Sequence, residues 1–384
     1  MNMKNSNRRF HLVRRQTGVG LVEIMVSLTI GLVIIAALVA LFVGTSRNNR
    51  QMATANSMIE NGRFAIQLLQ EDVIHAGYWG QFVPAFDDQT ASTTTAPTDV
   101  PTALPDPCKA VGTWNAADRN NLIGIPMQAY ETAAVCSGVV TDKLADTDML
   151  VVRHVDTCAA GETGCEVEVL NKLYMQAARC NTEIGTYVLA LSDLPNAAPF
   201  DRHMRNCTTL AEKRKFISHI YYIRDYAVTA GDGIPTLMRS EFDSVGGGTP
   251  AHQAAVPLVE GIDAFRVEFG IDSVSRTGDA VNYADPIDWD DPDTKTTATN
   301  RGDAMPDGDY VHCEPCTFDE LMNATSARIY VLARGREPTQ GYVDTKEYTL
   351  GSGTPIAAFN DGFKRHVYTT TVRLPNIAGR RERP

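Results

Sequence analysis

The chain has 384 residues, 43% of them hydrophobic, with a formal net charge of −11. That length can bury a sizeable core, and the acidic balance argues against a nucleic-acid partner, whose affinity rests on Lys and Arg neutralising phosphates. No Gly-Lys dipeptide, H-E-x-x-H or G-x-S-x-G occurs, so these residues carry no enzyme signature of the nucleotide-loop, zinc-protease or serine-hydrolase kind and predict a protein that is not an enzyme.

The first element is a basic leader, residues 1–18, with Lys4, Arg8, Arg9, Arg14 and Arg15 and no acid, followed by an apolar run from Val19 to Val43. About 25 helical residues at roughly 1.5 Å each are long enough to cross a bilayer, and the cationic flank fixes the N-terminal end in the cytoplasm. A secretory signal would have a shorter apolar core and a small-x-small site after it, for which Gly44-Thr45-Ser46-Arg47 is a poor match. A plain anchor accounts for the length and the leader but not for Glu23, the single ionisable residue of the run. A carboxylate costs about 2.5–3.5 kcal/mol at the centre of a membrane helix, and less near its end.

A basic leader, then Gly18-Val19-Gly20-Leu21-Val22-Glu23 opening an apolar helix, resembles the type IV prepilin signature. The resemblance implies cleavage by prepilin peptidase between Gly18 and Val19, N-methylation of Val19, and a role for Glu23 as the carboxylate that meets a neighbouring subunit's N-terminus during assembly. Val19 stands where the family usually has Phe, and Gly20 where it has Thr or Ser. Gly20 offers a second cleavage position, but the spacing to Glu23 favours Gly18. Loss of the five cationic leader residues would take the net charge from −11 to −16.

Beyond the apolar half, 19–43, residues 44–76 turn polar but keep a helical period: Met52, Ala55, Ile59, Gly62, Ile66, Leu69 and Val73 form one stripe. Gly77 supplies the stop, giving one helix of about 55 residues, or roughly 80 Å. The following part, 77–215, contains a Thr-, Ala- and Pro-rich loop and six of the eight cysteines, Cys108, Cys136, Cys158, Cys165, Cys180 and Cys207; Cys313 and Cys316 lie further on. An even number of cysteines in an exported domain reads as disulfides. Sequence proximity suggests Cys158–Cys165 and Cys313–Cys316, with Cys108–Cys136 and Cys180–Cys207 completing the set. Strands are expected at Asp148–Val155, Val167–Tyr174 and Thr186–Leu191. In the part 216–384 they are expected at Phe216–Ile223, apolar on both faces, at Pro235–Arg239, and at Leu258–Gly270, half-buried with Phe265, Val267 and Phe269 inward. Ala327–Arg334 and Arg365–Leu374 complete the set. The fold class is α+β: a long N-terminal helix on an antiparallel, β-rich ectodomain.

The Val-Glu-Gly-Ile strand, the acidic loop, Ala-Arg-Ile-Tyr-Val-Leu-Ala-Arg and the closing Val372-Arg373-Leu374-Pro375-Asn376 resemble the PilW family of minor pilins, with Pro375 a departure from the usual Leu-Arg-Asn ending. The resemblance covers the helix and about residues 216–376. It implies assembly in the type IV pilus beside other minor pilins and the major pilin through a helix bundle, in a tip-priming complex with a large adhesin. The chain would wait in the inner membrane and end at the cell surface. Alternatives are a minor pseudopilin of type II secretion and a membrane-anchored periplasmic binding protein or enzyme. His312-Cys313-Glu314-Pro315-Cys316 lacks the further ligands a zinc site needs, and Thr317 stands where a c-type haem motif has His, so a disulfide is favoured. Asp288, Asp290, Asp293, Asp303, Asp307 and Asp309 could supply oxygens to Ca²⁺, but the EF-hand spacing fails and a solvated acidic loop is preferred. No cofactor is expected, and His154 and His219 read as ordinary sheet residues.

Overall fold

The computed structural model describes residues 18–87, 95–131, 136–183, 185–196, 199–286, 297–314 and 316–381. The leader 1–17 and the acids Asp288, Asp290 and Asp293 lie outside them. The chain divides into two units, meeting between Ala53 and Thr54. Helix α1 (Leu21–Val73) supplies the described part of the first unit after residues 18–20 and, from Thr54 on, the first element of the second.

Twelve strands are formed among the described residues, and every pairing between them is antiparallel. The larger sheet contains β1 (Met127–Tyr130), β2 (Met149–Val155), β3 (Leu173–Ala177), β4 (Tyr187–Leu191), β5 (Lys213–Arg224), β6 (Thr236–Asp243), β7 (Ala251–His252) and β8 (Val256–Glu260). Its organiser is β5, long enough to pair β3 near its start, and β2 and β6 further along. The expected boundary at 215/216 falls inside this strand, so the Cys-bearing part and the later β-rich part share one sheet. The smaller sheet has the order β10 (Val311–His312), β9 (Ile262–Ile271), β11 (Ala324–Arg334), β12 (Arg365–Arg373).

One core joins both sheets to the polar half of α1. Ala65, Leu69 and Val73 of the helix pack with Met127, Leu150 and Tyr221 of the larger sheet and with Phe265, Val267 and Ile329 of the smaller one. The buried line on the helix runs through Gly62, Ala65, Leu69 and Val73, with Met58 and Ile66 partly covered, whereas Ile59 and Met52 are exposed. Gly62, Leu69 and Val73 are positions of the stripe read off the sequence, but its start, Met52 and Ile59, stays uncovered and Ala65 is buried beside it. The approach at Gly62 is close: a Cβ there would overlap the ring of Tyr368 on β12.

Three expectations need correction. Residues Val167, Val169 and Leu170 are exposed loop, and the strand begins only at Leu173 after a turn with Asn171 in the left-handed region. Strand β9 is buried on both faces, not one. The segment carrying Tyr348 and Leu350 covers its second face, where Arg266 donates to the Thr354 carbonyl at 2.6 Å and Glu268 accepts from the Tyr330 hydroxyl at 3.0 Å. Short elements absent from the sequence reading also appear: β1, β7, β10, α2 (Ala116–Gly124), α3 (Phe318–Met322) and α4 (Pro375–Arg381). Both α2 and α3 open on capping boxes, Asn115 with Asp118 and Thr317 with Glu320, a signal that was present in the sequence.

Candidate assembly site

Glu23 lies in the first turn of α1, where the helix dipole favours a negative charge. Its carboxylate Oε2 accepts a hydrogen bond from the backbone N–H of Gly20 at 3.2 Å. Gly20 has no side chain to cap the helix, so the acid three residues on folds back and takes one of the orphan donors. That places the carboxylate over the N-terminal end of the helix, close to Val19. From Leu21 to Val43 the large apolar side chains all stand exposed, and the helix is long and apolar enough to cross a membrane. An exposed apolar surface of this extent is covered by lipid or by like helices.

The C-terminal end of α1 is held differently. Gly77, in the left-handed region, follows the last turns, and its N–H donates to the Arg153 carbonyl at 3.0 Å. Pro375 opens α4, a position that suits its missing N–H. Asn376 then donates to the carbonyls of Ile74 and Ala76, at 3.2 and 3.3 Å, and Arg380 to that of Gly77 at 2.7 Å. Residues 376 and 380 thus satisfy carbonyls of the turn that follows the helix.

The eight cysteines form four disulfides, Cys108–Cys136, Cys158–Cys165, Cys180–Cys207 and Cys313–Cys316. Of the described acids proposed for Ca²⁺, Asp303 accepts from the Met305 N–H at 3.0 Å and Asp307 from the Val274 N–H at 2.7 Å, and Asp309 is exposed. Among the described residues the convergent group is elsewhere: Asp72, His154 and His219. Asp72 is the penultimate residue of α1, and the two histidines come from neighbouring strands, β2 and β5. Because Ile217 pairs with His154, and His219 lies two residues on, the histidines share the face that meets the helix. The Asp72 carboxylate lies 3.1 Å from His154 Nε2 and 2.9 Å from His219 Nδ1, and accepts from the Tyr221 hydroxyl at 2.9 Å. Burial pushes the Asp72 carboxyl up, but the hydrogen bonds from His154 and His219, with their charges, outweigh it and hold the group well below the usual carboxylate range. The sequence gives no signal for this cluster, since its members lie 82 and 147 residues from Asp72.

Residues 220–376 match the family model described as type IV pilus-assembly protein W. Among solved structures, a type IV-like pilin from Thermus thermophilus aligns with 84% of this chain and 97% of its own, at 12% identity and a TM-score of 0.29, an overlap too low to bear on the argument. No curated protein matches. The matched residues begin in β5 and end at Asn376 in α4, taking in the whole smaller sheet and the contact that closes α1. Over that stretch, less than half of its length, the chain is similar to the PilW family of type IV pilus-assembly proteins.

Proposed function

We propose that this protein is a minor pilin that enters the type IV pilus through its N-terminal helix. One observation carries the reading: a lone carboxylate, Glu23, folded over the start of an otherwise uncharged, fully exposed apolar helix, in a chain whose later part is similar to the PilW family. Prepilin peptidase cuts between Gly18 and Val19, Val19 is methylated, and the helix waits in the inner membrane with its ectodomain outside. On extraction into the bundle, Glu23 exchanges the Gly20 N–H for the N-terminal amine of a neighbouring pilin. A charge left unpaired in that apolar bundle would cost several kcal/mol, so the pair fixes the axial register. The large ectodomain suits a place in the tip-priming complex, with other minor pilins and a large adhesin, better than a place in a repeating shaft. The action is assembly rather than catalysis, and no cofactor takes part in it.

The test is intact-mass analysis of protein extracted from membranes. The expected species begins at Val19 and carries one methyl group; mature protein that retains the first eighteen residues overturns the reading.

A further inference from the structure

We propose that Asp72, His154 and His219 bind a divalent transition-metal ion of the zinc type at the seam between α1 and the larger sheet. The reason lies in the second nitrogen of His154. Its Nδ1 is 2.9 Å from the carbonyl oxygen of Val155. A carbonyl only accepts, so Nδ1 carries the proton. In the neutral ring Nε2 then holds a lone pair, and that lone pair faces the Asp72 Oδ1 at 3.1 Å. Two electron-rich atoms do not sit at this separation alone: either a second proton on the ring makes His154 a cation that donates to Asp72, as in the ion pair described above, or a metal ion takes that proton's place. A backbone carbonyl that fixes the tautomer of a histidine and turns its other nitrogen inward is the usual second support of a metal-ligating imidazole.

The spacing agrees. Donors bound about 2.0–2.1 Å from zinc in a tetrahedron stand roughly 3.3 Å from one another. Here one carboxylate oxygen and one nitrogen from each histidine all lie within 4.8 Å of one another, so small side-chain shifts close the set. Two imidazoles and one carboxylate suit zinc and its neighbours rather than Ca²⁺ or Mg²⁺, which take oxygen ligands. His219 is the most open of the three side chains, which gives an ion an entry side and leaves a fourth position for water. The other groups facing the site are the Tyr221 hydroxyl, which donates to Asp72; Arg239, opposite Tyr221 on β6, whose charge Glu241 offsets; and His75, whose ring centre is 5.6 Å from that of His154. Each ligand comes from a different element, so the ion would staple the polar half of the helix to β2 and β5.

The experiment uses the full chain in detergent micelles, stripped with a chelator and titrated calorimetrically with Zn²⁺, with Ca²⁺ as the hard-ion control. The expected result is one Zn²⁺ per chain, a rise in melting temperature that follows zinc concentration, and no response to Ca²⁺. Co²⁺ in place of Zn²⁺ should give the absorption bands of a low-coordinate nitrogen–oxygen site. His154→Gln and His219→Gln should each weaken binding by more than the roughly 10–100-fold typical of a lost outer-shell partner. Should either variant lose its near-ultraviolet circular dichroism, Asp72→Asn, of the same shape, answers in its place. If the wild type takes up no zinc, the cation facing Asp72 is a proton on His154 and the proposal falls. It falls equally if folded variants bind zinc as the wild type does.

Discussion

Gly62 is the sharpest test of how the polar half of α1 meets the sheet. Alanine in place of glycine inside a helix normally gains about 0.5–1 kcal/mol, because the unfolded chain loses freedom. Here the added Cβ meets ring atoms of Tyr368, including Cε2, Cδ2 and Cζ, which belong to a strand held by nine paired residues against β11. The ring is half-buried and its hydroxyl is enclosed, so moving it costs more than moving the end of a flexible chain. Overpacking of this kind costs about 1–3 kcal/mol, so Gly62→Ala should destabilise the unit that begins at Thr54 by up to about 2 kcal/mol net. In a Tyr368→Ala background the obstacle is gone and the same change should stabilise by about 0.5–1 kcal/mol. Thermal melts of the four proteins of this cycle, at roughly 2–4 °C per kcal/mol, give the coupling directly. If Gly62→Ala raises the melting temperature of the wild type, or has the same effect in both backgrounds, the helix does not pack as described.

Other outcomes follow from the same structure. Glu23→Ala should leave the protein in the membrane but reduce its incorporation into pili by roughly a hundredfold to a few thousandfold, since a partner's unpaired buried charge costs about 3–5 kcal/mol; immunoblots of sheared pili and of membranes report both quantities. Arg365 ties β12 to Asp263, Asp344 and Asp361 at 2.7–2.9 Å, so Arg365→Ala should cost about 3–5 kcal/mol in denaturant melts by stranding buried carboxylates, and Arg365→Lys should not restore the fork. His252 is pushed down to about 3, by burial first and then by the charges of Arg153 and His219. The unfolded chain therefore takes up a proton below about pH 6.5 that the folded chain refuses, and stability should fall by about 1.4 kcal/mol per pH unit as pH drops, a slope that His252→Asn removes. His312 has the opposite sign. Its hydrogen bond to Asp148, 3.0 Å away, raises it against the opposing effect of burial. Its contribution is complete below about pH 6.5 and fades as pH rises through the raised folded value. Melting curves against pH should show His312→Gln costing most near pH 6 and least near pH 8.5.

Legibility in the sequence followed the range of the interaction. The apolar half of α1, its one acid and the stop at Gly77 are local patterns, and a period or a spacing reveals them. The strands around Phe216–Ile223 and Ala327–Arg334 are equally local, because alternation or a continuous apolar run is written in consecutive residues. The burial of Ala65 and the exposure of Ile59 were not legible, since both are apolar and lie at the margins of one stripe. Nor was the second buried face of β9, because Arg266 and Glu268 look solvent-facing until the segment around Leu350 lies over them.

By itself, then, the chain's order of residues determined a lone acid at the head of an apolar helix and the β-rich character of the part that follows, because these rest on neighbours in sequence. Tertiary structure alone decided that Asp72 meets His154 and His219, and that Asn376 reaches the carbonyls of Ile74 and Ala76. Those contacts join residues 82 to 302 positions apart, where no periodicity reaches and only the closing of the core brings the groups together.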